Sequence, residues 1–259
     1  MKKTETHPII RIKGERRERL ADEVVAEIPI TIFVNDFELA TILCTPEDLL
    51  DLTTGFLYSE MLIKKIDDII FIENNEKKGV VSVSIKKKID PLKDLTYKRL
   101  ITPGCFNTQS LFSVSSTNTL KKIESSLKIT GREIVQIIRE MQQRSVLFRK
   151  TGGVHTSAIC TRDKVLFFSE DIGRHNAMDK VIGHCLRKGV STDDKVIITS
   201  GRVSSAVLLK IVRASIPVLI SRTAPTSEAV KLAKVFGVTL ICFARGSRFN
   251  IYSNARRII

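Results

Sequence analysis

The chain has 259 residues, 43% of them hydrophobic, and a formal net charge of +14. That length suits one large domain or two small ones with a sizeable core, and no apolar run is long enough to span a bilayer as a helix. The start, Met1-Lys2-Lys3-Thr4-Glu5, is charged and leads into no apolar h-region, so no secretory signal is expected.

Residues 27–34 alternate as a strand does, Asn35-Asp36 can turn the chain, and residues 37–43 form the returning strand. Thr45-Pro46-Glu47-Asp48 predicts a helix start, with Thr45 as N-cap and Pro46 in the first turn, running to about Ser59. Two further strands are expected over 68–73 and 79–85, which makes the N-terminal part a small α+β unit. Residues 86–104 are lysine-rich and irregular and read as a linker or long loop, ending at Cys105. Thr130 and Glu133 form a capping box for a helix with Ile134, Ile137, Ile138 and Met141 on one face. Strands at 153–160 and 164–168 form a hairpin. A helix follows over 176–188 with Gly189 as its C-terminal glycine. Then come strand 195–199, helix 203–214, strand 216–221, helix 226–236 and strand 238–243. Alternating strands and helices imply parallel βαβ units and an α/β layered unit. The boundary falls near residue 122, giving domains 1–122 and 123–259.

The five cysteines, Cys44, Cys105, Cys160, Cys185 and Cys242, are scattered and odd in number. This argues against a disulfide framework or zinc ribbon and fits a reducing, cytoplasmic setting. Cys105 alone lies outside a predicted strand or helix. It follows Pro103-Gly104, and Lys98 and Arg99 nearby favour its thiolate, the reactive form. The other four are expected to be small buried hydrophobes.

The surplus of positive charge calls for a polyanionic partner: nucleic acid, anionic lipid, a phosphorylated cofactor or an acidic protein. Its placement favours the cofactor. Thr199-Ser200-Gly201-Arg202, Ser221-Arg222-Thr223 and Phe243-Ala244-Arg245-Gly246-Ser247-Arg248 each follow a predicted strand. Three consecutive strands ending in hydroxyls and arginines would line one rim of the sheet and suit a ligand with several phosphates. Glu170-Asp171-Ile172-Gly173-Arg174-His175-Asn176 spans another strand-to-helix turn, where ligands bind in open α/β sheets; an exposed turn laced with salt bridges is the plainer reading. His155, at a strand start after two glycines, is an acid/base candidate or a polar core residue. There is no Walker loop, no Gly-x-Gly-x-x-Gly, no zinc-deaminase signature and no nucleophile elbow, and no metal site is expected.

Gly152-Gly-Val-His-Thr-Ser-Ala, Glu170 through Lys180, Thr199-Ser-Gly-Arg202, Phe243-Ala-Arg-Gly, Phe249-Asn-Ile-Tyr252 and Thr54-Gly-Phe-Leu-Tyr-Ser-Glu60 together resemble the FdhD family, the formate dehydrogenase accessory sulfurtransferases or sulfur carrier proteins. The resemblance covers nearly the whole chain. It implies an α/β fold: a cytidine-deaminase-like three-layer C-terminal domain without the zinc, beside a smaller α+β N-terminal domain. It implies that Cys105 accepts persulfide sulfur from a cysteine desulfurase. The sulfur then passes to the molybdenum bis(molybdopterin guanine dinucleotide) cofactor before that cofactor enters formate dehydrogenase. It assigns cofactor binding to Phe243, Ala244, Arg245, Gly246, Ser247 and Arg248, and it implies a homodimer with no membrane partner. The family's loop carries Cys-Gly-x-Cys; here Phe106 stands for the glycine and Thr108 for the second cysteine. A single thiol can carry a persulfide but cannot resolve one as an intramolecular disulfide. Two rival readings stand beside the carrier: a cofactor-binding chaperone without sulfur transfer, and a basic nucleic-acid-binding module. The latter lacks a helix-turn-helix signature and has only 6% aromatic residues for stacking.

Overall fold

Two hydrophobic patterns of different period build two packed units. The structure, a computed structural model, describes residues 1–88, the backbone of 99–101, and 120–259. Cys105, Phe106, Thr108 and Lys98 lie outside the described residues.

The chain begins with an antiparallel ribbon, β1 (Thr4–Lys13) and β2 (Arg16–Val25), which the sequence pattern did not predict. Then β3 (Ile28–Val34) and β4 (Phe37–Cys44) form the expected hairpin, with Asn35 and Asp36 both at positive φ in its turn. With β5 (Ile69–Asn75), β6 (Val80–Ile85) and β7 (Arg99–Ile101) they make a five-stranded sheet in the order β5-β6-β3-β4-β7. Helix α1 (Leu49–Ser59) covers it, burying Leu49, Leu52, Phe56 and Leu57 against Ile30, Ile32 and Val81.

The helix start differs from the expectation. The N-cap is Asp48, at φ 53°, not Thr45. Thr45 faces the second unit instead: its backbone N–H and hydroxyl both donate to Asp171 Oδ2, at 3.1 and 3.0 Å, and its hydroxyl oxygen accepts from Lys180 Nζ at 2.8 Å.

The second unit is a six-stranded sheet with helices on both faces. Its strands are β8 (His155–Cys160), β9 (Val165–Asp171), β10 (Val196–Thr199), β11 (Val218–Ser221), β12 (Thr239–Arg245) and β13 (Arg248–Ser253), ordered β13-β12-β11-β10-β8-β9. Helix α2 (Gly131–Arg144) packs on one face and is followed by the short α3 (Val146–Thr151). The capping box forms as expected: Thr130 N–H donates to Glu133 Oε2 at 2.7 Å, and Glu133 N–H to Thr130 Oγ1 at 3.2 Å. Helices α4 (Arg174–Lys188), α5 (Ser205–Arg213) and α6 (Ser227–Val235) cover the other face. Successive strand residues feed opposite cores, as the period of two demands: Ile197 and Leu219 go to one, Ile198 and Ile220 to the other.

The two units meet where α1 crosses α4. A Cβ on Gly55 would lie 1.9 Å from the Asp179 carbonyl oxygen, and one on Gly183 the same distance from that of Asp51. Only hydrogen at these positions lets the two backbones touch.

Candidate functional site

β10, β11 and β12 run parallel, so their C-terminal ends share one edge. β8 is antiparallel to β10 and β9 to β8, which brings the start of β8 and the end of β9 to that same edge. Topology alone therefore gathers Arg245, Arg222, Ser200, His155 and Arg174 along one rim. A cleft of about 460 Å³ opens there, lined by Phe148, Gly152, Gly153, Val154, His155, Ile172, Ser200, Arg222, Thr223 and Arg245.

Among the described residues, no carboxylate pairs with Arg174, Arg222 or Arg245. The Nε–H groups of Arg174 and Arg222 are buried and meet no acceptor within the described chain. A buried donor left unmade costs about 1–3 kcal/mol, more when charged. Arg257 Nε–H in the core is unmatched in the same way, so what sets the rim apart is that its unmatched donors lie beside further arginines and an open cleft. Burial lowers the pKa of Arg222, and the charge of Arg245 lowers it further; burial and then Arg202 do the same to Arg174. Like charges brought together this way await an anion. Arg245 is aimed by a bond from its Nε–H to the Arg222 carbonyl at 3.1 Å. Arg174 lies over Gly201, where a Cβ would meet its own Cβ at 2.8 Å.

His155 Nδ1 lies 3.4 Å from Ser200 Oγ, which also accepts the Thr156 N–H at 2.9 Å. Burial first, and Arg174 second, lower the His155 pKa, while Asp171 pulls the other way. A neutral imidazole at the cleft can take or give a proton.

The motif from Glu170 to Lys180 divides in two. Arg174 joins the rim. Asp171, Asn176, Asp179 and Lys180 instead bind the two units together. Lys180 Nζ pairs with Asp171 Oδ2 at 2.8 Å, both side chains fully buried, and donates to Thr45 Oγ1 at 2.8 Å. Asn176 Nδ2 donates to the Leu43 carbonyl and to Asp171 Oδ1, each at 2.9 Å. Asp179 accepts from Lys210 Nζ at 2.6 Å and from Ser59 Oγ at 2.7 Å. Salt bridges do occupy this turn, but buried between the units and not on an exposed surface.

Of the segment Phe243–Arg248, Arg245 lines the cleft. Gly246, at φ 58°, and Ser247 make the tight turn between β12 and β13, and Arg248 stands exposed across it from Arg245. The basic C-terminal tail is divided too: Arg257 is buried and donates to the Gly237 carbonyl at 2.7 Å and to the Ile123 carbonyl at 3.2 Å, closing the core. Phe148 and Ile172 complete the cleft wall and were not singled out from the sequence, because an apolar residue flanking a turn carries no signal of its own.

Burial pushes the thiols of Cys44, Cys160, Cys185 and Cys242 each up to about 12. None of the four is a nucleophile near neutral pH.

The fold and the edge define the class: an α/β protein with a cationic cleft at the C-terminal ends of its parallel strands. The match of residues 25–259 to the FdhD/NarQ family model identifies which: the chain belongs to that family. It is 38% identical to the sulfur carrier protein FdhD of Geobacillus kaustophilus, over 97% of this chain and 96% of that one. It is 39% identical to the sulfur carrier protein FdhD of Bacillus subtilis, over 93% and 92%. A crystal structure titled as a formate dehydrogenase accessory protein from Desulfotalea psychrophila superposes with a TM-score of 0.82 at 28% identity, covering 99% of each chain. No helix among the described residues is long and apolar enough to cross a membrane.

Proposed function

We propose that the chain is a cytoplasmic sulfur carrier for formate dehydrogenase. The observation that carries this reading is the group of rim arginines with unfilled donors, in a chain whose relatives bear the name sulfur carrier protein. In the proposed reaction the Cys105 thiolate attacks the outer sulfur of a persulfide on a cysteine desulfurase. A new S–S bond forms at Cys105 and the desulfurase thiolate leaves. The cargo, a molybdenum bis(molybdopterin guanine dinucleotide), sits in the rim cleft with its phosphates on Arg174, Arg222 and Arg245. The outer sulfur passes to the metal, which supplies the two electrons that make it sulfide, and the Cys105 thiolate leaves. His155, neutral in the cleft wall, is placed to take up or return a proton. Gly246, Ser247 and Arg248 extend the same rim towards the guanine end, and Phe243 and the fully buried Ala244 seat their strand in the two cores beneath it. The carrier works as a homodimer and hands its cargo to formate dehydrogenase.

Cations that converge on a cleft, instead of following a stripe, support a compact phosphorylated ligand over a nucleic-acid strand. Thr108 in place of a second loop cysteine favours the other reading, a cofactor chaperone without sulfur transfer. Mass spectrometry after incubation with a cysteine desulfurase and cysteine separates the two. A sulfur adduct on Cys105, absent in Cys105→Ala, is the expected result; an unmodified Cys105 would leave only the chaperone. In cells, Cys105→Ala should abolish formate dehydrogenase activity while leaving the protein folded.

A further inference from the structure

The turn that ends β10 is pinned from several sides. Thr199 Oγ1 donates to the Thr156 carbonyl at 3.2 Å and accepts the Gly201 N–H at 3.1 Å. The Ser200 N–H donates to the same Thr156 carbonyl at 2.9 Å, and Ser221 Oγ donates to the Gly201 carbonyl at 2.8 Å. Ser200 is thus fixed through its backbone just where β10 runs out. Its Oγ takes the place of the next strand carbonyl and accepts the Thr156 N–H at 2.9 Å.

His155, the first residue of β8, is within reach: its Nδ1 lies 3.4 Å from that Oγ. Counting donors decides which atom carries the hydrogen. A serine hydroxyl has one hydrogen and two lone pairs. With one lone pair given to Thr156, the hydrogen has no acceptor among the described residues except His155 Nδ1. Were Nδ1 protonated instead, Oγ would accept twice and its own hydrogen would go unused. Donation from Ser200 Oγ–H to Nδ1 satisfies both side chains. It also puts the imidazole proton on Nε2, since a neutral ring has one donor nitrogen and one acceptor. Nε2 has no partner among the described residues and is not sealed from solvent, and both side chains line the rim cleft. Burial first, and Arg174 second, favour the neutral ring.

We propose that Ser200 is a positioning residue of the rim cleft: its hydroxyl holds His155 as the Nε2–H tautomer, so that the ring offers an uncharged hydrogen-bond donor to the anion beside the arginines. The proposal rests on the reading of the cleft as the seat of a phosphorylated cargo and says how one wall of that seat is set. An uncharged donor suits this place. Arg202 already crowds Arg174, and Arg245 crowds Arg222. An imidazolium would add to that repulsion, whereas a neutral N–H stabilises an anion without it. The tautomer also orders the proton traffic: at Nε2 the resting ring gives or shares a proton before it can take one.

Two measurements on the full chain test this. Long-range proton–nitrogen NMR of protein carrying isotope-labelled histidine, with His155 assigned by the signals lost in His155→Ala, should show a protonated Nε2 and a bare Nδ1 at neutral pH. A proton on Nδ1 would overturn the proposal without any variant at Ser200. Calorimetry with guanosine diphosphate then reads the coupling. Ser200→Ala should weaken binding about fivefold, the worth of one neutral hydrogen bond, and Ser200→Thr, which keeps the hydroxyl, should bind like wild type. In the His155→Ala background, Ser200→Ala should change binding less than about twofold, because the group it acts through is gone. An undiminished fivefold loss in that background, or a Ser200→Ala chain that binds like wild type, would overturn the positioning role. A wild-type chain that binds no guanosine diphosphate would overturn the reading of the cleft on which the proposal rests, whichever nitrogen holds the proton.

Discussion

The seam between the two units and the rim cleft are built from the same kinds of residue, even from one motif, yet they treat charge oppositely. At the seam each charge of the Lys180–Asp171 and Lys210–Asp179 pairs is answered within the chain, at hydrogen-bonding distance and out of water. At the rim, Arg174 and Arg222 keep Nε–H groups that nothing in the described chain accepts, and each is crowded by a second arginine. A charge satisfied internally serves the fold. A half-buried charge without a partner in the described chain is what the proposed anion site would use, because part of its desolvation cost is recovered on binding.

The contrast can be broken at four points. The largest effect is expected from splitting the fully buried pair: Lys180→Ala or Asp171→Ala should cost about 3–5 kcal/mol of stability in urea unfolding, since the remaining charge has no water to turn to. Next, Gly55→Ala or Gly183→Ala should cost about 3 kcal/mol, because the obstructing atoms are backbone carbonyls that cannot rotate away. Both pairs of variants should leave ligand contacts at the rim intact in whatever fraction remains folded. Arg222→Ala should do the reverse, with guanosine diphosphate as the probe. Binding by calorimetry should weaken by about 1.5–3 kcal/mol, while stability holds or rises slightly as the repulsion with Arg245 is lifted. A stability loss comparable to that of Lys180→Ala would refute the division between seam and rim.

The last effect, smallest near neutral pH and growing with acidity, is a pH dependence. Burial, with Lys210, Arg174 and His155 nearby, lowers the pKa of His175 to about 2. The unfolded chain, with this imidazole near its ordinary 6.5, then binds more protons than the folded one between about pH 2 and pH 6.5. Stability should therefore be undiminished above pH 6.5 and fall on acidification below it, by up to about 1.4 kcal/mol per pH unit relative to His175→Asn. Parallel curves for the two proteins would show that His175 is not held neutral by the fold.

The parts legible in the sequence were those with a local signature. The Thr130–Glu133 capping box, Gly189 closing α4 at φ 65°, and the apolar faces of α2 and α4 stand where the pattern placed them. The rim followed as well, since parallel strands carry their C-terminal residues to one edge and three arginine-bearing turns ended three such strands. The ribbon had no such mark. Its one short alternation, Ile10-Arg11-Ile12-Lys13, lies on exposed residues and is followed by the charged run Glu15-Arg16-Arg17-Glu18-Arg19, so it resembles a solvated loop. Thr45 carried a misleading mark: its spacing to Pro46 and Asp48 is that of a helix cap, but a buried aspartate far along the chain claimed its hydroxyl.

The sequence by itself determined most of the helices and strands beyond the ribbon and, through the alternation of the two, that arginines would share a sheet edge. Only the tertiary structure decided which charges are paired inside the protein and which stay without an acceptor in the described chain. Propensity and periodicity act over a few residues. Whether a side chain finds a partner depends on what folds against it from more than a hundred residues away, as Thr45 and Asp171 do.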